Sequence, residues 1–147
     1  TLFPFTTLFR SPMFKGKRPV FDAFESHADI VTELPAGAIL LASNSYTDVQ
    51  ALDVRHGKGR FWAFQYHPEY DFAEIARLTS ARQDGLIKQG SFRDQQSADE
   101  FSGDIQALHD NPSRPDQRWK WGVDEDLIDA DFRALEVRNW LEYFFGT

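Results

Sequence analysis

Two short stretches of this chain carry side chains that could do acid–base chemistry together. The first is His67-Pro68-Glu69. Proline disfavours the helical region for the residue before it, so His67 is expected to be extended, and in an extended chain residues two apart project to the same side. The imidazole and the carboxylate can therefore meet. A carboxylate that engages one ring nitrogen fixes the tautomer and leaves proton exchange with a nucleophile to the other nitrogen. Alone, the tripeptide reads more simply as a histidine satisfied at a strand end beside a solvated glutamate. The second stretch, Ser26-His27-Ala28-Asp29, followed by Leu34-Pro35-Ala36-Gly37 and Leu41-Ala42-Ser43, changes that balance.

The elements that must position these residues follow from periodicity and turn chemistry. Four β-type runs are predicted, from Val20 to Phe24, Ile39 to Ala42, Val49 to Arg55 and Phe61 to His67. Leu34-Pro35-Ala36-Gly37 marks a bend, and His56-Gly57-Lys58-Gly59 a hairpin loop, so an antiparallel pair is expected from Val49 to His67. Phe61-Trp62-Ala63-Phe64 is apolar on both faces, which predicts a strand covered on each side. After His67 the pattern turns helical. Asp71 and Glu74 predict a capped helix start, Ser97 and Glu100 a second one ahead of Phe101, Ile105 and Leu108, and a third helical stretch runs from about Asp124 through Trp140. Asn111-Pro112-Ser113-Arg114-Pro115 separates the last two.

A chain of 147 residues, 41% hydrophobic, can bury the core of one ordinary domain. Its net charge of −7 argues against nucleic acid or a membrane surface as partner, because both need a concentrated positive face. No apolar run approaches a membrane span and no signal peptide is evident, so a cytoplasmic location is the default expectation. There is no cysteine, hence no disulfide and no thiolate ligand.

The run from Phe24 to Glu69 closely resembles class I glutamine amidotransferases, in particular stand-alone proteins similar to the amidotransferase domain of GMP synthase. In that family a Ser-His-x-Asp turn, a Leu-Pro-x-Gly loop and a strand ending in Gln-Phe/Tyr-His-Pro-Glu occur in this order; here they are Ser26 to Asp29, Leu34 to Gly37 and Gln65 to Glu69. The resemblance implies an α/β, flavodoxin-like fold and a Cys-His-Glu triad in which His67 is general base and acid and Glu69 orients it. It implies that Ser26, Ala28 and Asp29 contact the backbone end of a substrate glutamine. It implies no cofactor, and an acceptor synthase as the partner that receives ammonia. The family's cysteine and glycine-rich oxyanion loop are not among these residues, so the chain is expected to be the carboxyl-terminal part of such a domain and inactive alone. Two alternatives are a γ-glutamyl hydrolase of the same fold and a non-catalytic interaction module docking through the helices after Asp71.

Residues 1–11 closely resemble a translated sequencing adapter, with Phe5 where the adapter frame gives tyrosine, and are expected to be non-native. Residues 12–90 are then the amidotransferase part and residues 91–147 a helical extension packed on the same domain. Ser43 and Ser45 read as loop polarity rather than substitute nucleophiles. His27, His56, His67 and Glu69 suit zinc chemically but lack a ligand spacing, so no metal site is expected, and His56 is read as solvent-facing. His109 is read as a cation at a helix end. Trp119-Lys120-Trp121 lies in an acidic neighbourhood that disfavours phosphate, and is expected to anchor the helical tail on the sheet.

Overall fold

A computed structural model describes the backbone of Phe3–Pro4 and residues 11–146. The chain divides into two compact units, one of residues 1–69 with 129–147 and one of residues 70–128.

The first unit is built on an antiparallel sheet in the order β1 (Phe3–Pro4), β2 (Ala38–Ser43), β3 (Ala51–His56), β4 (Gly59–Phe64). The predicted hairpin is present: β3 and β4 pair from Ala51↔Phe64 to His56↔Gly59, closed by Gly57 and Lys58, and His56 is exposed. The pleat then sorts the side chains. Leu52 and Val54 lie on one face with Val49, Val31, Leu40 and Ala63. Leu41, Ala51 and Trp62 lie on the other with Met13, Phe14, Phe21 and Tyr66, forming the larger core. Each fully buried side chain of this kind contributes roughly 1.5–3 kcal/mol.

Two strand expectations need correction. Residues 20–24 form no ladder; apolar burial of Phe21 and Phe24 holds them, with an isolated bridge at Glu25↔Tyr66 just beyond. Phe61 is 51% exposed, so among the described residues β4 is not covered on both faces. The expectation that residues 1–11 are foreign lies mostly outside the described residues; within them, Phe3 and Pro4 pair with Ser43 and Ala42.

The same unit contains α5 (Ala130–Arg133) and α6 (Leu135–Phe145). Phe144 meets Trp62 edge-on at 5.4 Å. Asn139 Nδ2 donates to the carbonyls of Met13 and Lys15 at 2.8 and 2.9 Å, tying α6 to the short helical turn at Pro12–Phe14.

The second unit is helical: α1 (Phe72–Lys88), α2 (Gln95–Asp110), α3 (Pro115–Trp121) and α4 (Glu125–Ile128). Asp71 caps α1 as predicted, its carboxylate accepting from the Glu74 amide at 2.8 Å. The cap of α2 lies three residues earlier than expected. Asp94 accepts from the Ser97 amide while the Ser97 hydroxyl accepts from the Asp94 amide, and Glu100 instead pairs with Lys120. His109 sits in the last turn of α2, where a cation suits the helix dipole. The anchoring role expected of Trp119 is not seen, since its side chain lies largely in solvent. Trp119 is 87% exposed, and Trp121 stacks edge-on against Phe101 at 4.9 Å and donates to Asp104 at 3.0 Å, within this unit.

The single helix expected from Asp124 through Trp140 is three pieces: Asp129 is extended and caps α5 by accepting from the amides of Asp131 and Phe132, which separates α4 from α5, and Ala134, at φ −91° and ψ 13°, separates α5 from α6. No described helix is long and apolar enough to cross a membrane.

Gly37 closes the predicted Leu-Pro-Ala-Gly bend. It has φ +81°, and a Cβ there would stand 2.5 Å from the backbone oxygen of Arg55. Gly57 also has positive φ, at +56°, but meets nothing within 4 Å. Gly57→Ala should therefore lower the unfolding free energy by about 1–2 kcal/mol, the left-handed penalty alone, and Gly37→Ala by about 3 kcal/mol or more, because a backbone clash is added. Urea titration of both variants checks the ranking; equal losses would contradict it.

Candidate active site

The site is assembled where β4 runs out. Beyond Phe64 the chain bends at Gln65, and backbone groups on both flanks hold it: the Gln65 amide donates to Gln50 at 2.9 Å, Tyr66 bridges Glu25, and the His67 amide donates to the Phe24 carbonyl at 2.8 Å. Pro68 is buried and keeps His67 out of the helical region.

In this frame His67 and Glu69 meet. His67 Nδ1 and Glu69 Oε1 are 2.7 Å apart, with the imidazole 27% and the carboxylate 58% exposed. In a neutral imidazole this contact requires the proton on Nδ1, donated to the carboxylate, so that Nε2 is the unprotonated ring nitrogen. A contact so open to solvent contributes at most about 1 kcal/mol to stability. Its consequence is the orientation and tautomer of the ring.

The turn at residues 26–29 lies in the same unit, with Ser26 half-buried and Ala28 and Asp29 exposed. Its backbone is held by two donors on one acceptor. His27 Nδ1 and Gln65 Nε2 each stand 2.9 Å from the Asp29 carbonyl oxygen. Gln65 Nε2 is also 3.5 Å from His27 Nδ1, but a ring nitrogen that donates to Asp29 cannot accept from Gln65, so the shorter contacts define the arrangement. On the other edge of the ring, His27 Nε2 is 3.7 Å from Glu25, whose carboxylate accepts from Asn44 Nδ2 at 2.7 Å. Asn44 in turn accepts from the amides of Tyr46 and Thr47, shaping the loop after β2.

Gln65, Glu25 and Asn44 are thus parts of the site that the sequence reading did not single out. For Gln65 a signal existed: it opens the Gln-Tyr-His-Pro-Glu run that ends in His67 and Glu69. The structure gives His27 a structural place in this web. Among the described residues no group of three His, Asp or Glu side chains converges as a metal-binding set.

Comparison with known proteins gives this geometry a family. The family described as Glutamine amidotransferase class-I matches residues 6–77. Over 132 residues, which make up 90% of this chain, the sequence is 30% identical to a gamma-glutamyl-L-1-hydroxyisopropylamide hydrolase from a Pseudomonas species. The chain spans 44% of that relative's length. No solved structure gives a significant match. The chain belongs to the class I glutamine amidotransferase family, and its mixed α/β architecture is compatible with the flavodoxin-like fold of that family.

Gln65→Ala removes one of the two donors to the Asp29 carbonyl. It should release the turn locally by about 1 kcal/mol, the net worth of a typical hydrogen bond. Amide hydrogen exchange should then quicken about five-fold across residues 27–30 while Leu52 and Val54 are unchanged. An unchanged turn would show that His27 alone fixes it.

Proposed function

We propose that this chain carries the base half of a site that cleaves γ-glutamyl amides. The observation that carries the reading is the 2.7 Å contact between His67 Nδ1 and Glu69, formed at the end of a strand whose sequence matches the family motif. In the proposed reaction a cysteine thiol gives its proton to His67 Nε2, and the thiolate attacks the side-chain amide carbon. His67 then returns the proton to the departing nitrogen, and water releases glutamate from the thioester by the same relay. Glu69 holds the ring and stabilises the imidazolium as it forms. The turn at Ser26, Ala28 and Asp29 is proposed to receive the amino-acid end of the substrate.

These 147 residues contain no cysteine, so in this proposal the nucleophile and the oxyanion donors belong to a longer protein. The chain by itself is then expected to be inert, since loss of the nucleophile of such a triad removes on the order of a million-fold in rate.

Two fates of the leaving nitrogen are consistent with this chemistry. In the first, glutamine is the substrate and ammonia passes to an acceptor made by a partner synthase. In the second, an N-substituted γ-glutamyl amide is hydrolysed with no acceptor; the name of the Pseudomonas relative favours this one. Both use the same residues on the glutamyl side, and they differ in what binds beyond the scissile nitrogen.

Steady-state assays of the longer protein with glutamine and with small γ-glutamyl alkylamides, without acceptor, separate the two. Faster turnover of the alkylamide supports hydrolysis, and strict preference for glutamine supports ammonia transfer. In either case His67→Ala should lower kcat/KM on the order of a million-fold with circular dichroism unchanged. Near-normal turnover in that variant would remove His67 from the mechanism.

A further inference from the structure

Next to His67, the buried Tyr66 reaches a charged cluster that the proposed chemistry does not use. The Tyr66 hydroxyl donates to Glu136 Oε1 at 2.7 Å, and Glu136 Oε2 is 3.2 Å from Lys17 Nζ. The Lys17 ammonium also donates to the Phe132 carbonyl at 2.8 Å and lies over the rings of Phe21 and Phe132 at 4.7 and 4.4 Å. The Lys17 and Glu136 side chains are 2% and 0% exposed, and Tyr66 is 2% exposed.

Burying a carboxylate and an ammonium is expensive unless both are paired, and an apolar replacement often serves stability as well or better. Burial pushes the Glu136 carboxyl above its ordinary range, while Lys17 and the Tyr66 hydroxyl draw it back, as expected of a charge kept in the core by its partners. Stability alone therefore gives little reason for the cluster. Its placement gives a better one, since it clamps the residue next to His67.

We propose that Tyr66, Glu136 and Lys17 are positioning residues for His67, with α6 holding the Tyr66 hydroxyl so that His67 Nδ1 stays registered on Glu69. The backbone contacts at Gln50, Glu25 and Phe24 restrain the main chain of this segment; the hydroxyl bond adds a side-chain restraint at Tyr66. Lys17 favours the charged form of Glu136 against burial and holds it in place as the acceptor. The inference rests on the reading of His67 as the base, but its test is conformational and is made on the 147-residue chain.

The readout is the 15N–1H long-range spectrum of the His67 ring, which distinguishes Nδ1–H from Nε2–H, recorded at a pH where imidazole is neutral. Tyr66→Phe keeps the apolar ring and deletes the anchor. It should convert a single Nδ1–H tautomer into a mixture, and the amide of His67 should exchange about ten-fold faster while those of Leu52 and Val54 are unchanged.

A second pair of variants applies the same contrast without touching Tyr66. Lys17→Met with Glu136→Gln leaves a neutral acceptor for the hydroxyl and should retain the parent spectrum. Lys17→Met with Glu136→Met leaves none and should show the mixture. Folded variants that all keep the parent tautomer, or a Gln/Met pair that behaves alike, would overturn the positioning role. That result would leave the base assignment to be decided by His67→Ala in the longer protein.

Discussion

The site depends on how the chain from Gln65 to Glu69 is held after its strand has ended, through a bend at Gln65 and a turn at Pro68–Glu69. Regular pairing stops at Phe64, yet three backbone contacts continue the line: Gln65 to Gln50, Tyr66 with Glu25, and His67 to Phe24. Across this segment the His67 imidazole meets Glu69 and the Gln65 side chain meets the Asp29 carbonyl, while Tyr66 enters the core. Pro68 disfavours the helical region at His67, and the turn at Pro68–Glu69 follows it directly.

The same geometry explains why the two halves of the described site are one object. The segment 24–29 is attached to the strand end by its backbone at Phe24 and Glu25 and by a side chain at Asp29. A displacement of the strand end would therefore move both the histidine and the turn. Interactions here are individually modest, because the His67–Glu69 pair and the turn are open to solvent. Their effect is registration of the ring on the carboxylate and of the turn on the strand end, which the proposed acid–base chemistry would require.

What could be read from the sequence was what local rules decide. Pro68 between a histidine and a glutamate predicts their contact, Gly57-Lys58 predicts the hairpin, and Asp71 before an apolar periodicity predicts a helix cap. What escaped was settled by competition between equally good local signals or by distant partners. Asp94 outcompeted Ser97 as the cap of α2, and Asp129 interrupted a helical pattern by capping a new helix of its own. Trp119 and Trp121 carry the same apolar signal, yet one is in solvent and the other is stacked on Phe101. The Tyr66–Glu136 bond joins residues 70 positions apart, and no periodicity announces it.

The central claim is that Glu69 engages His67 through Nδ1, leaving Nε2 to exchange the proton. The most direct measurement is the tautomeric state of the His67 ring in the unmodified chain, read from its 15N shifts at a pH where the ring is neutral and compared with Glu69→Gln. The account predicts a single Nδ1-protonated tautomer in the parent chain, and a weaker preference once the carboxylate is replaced. A parent chain with the proton mainly on Nε2 would contradict it.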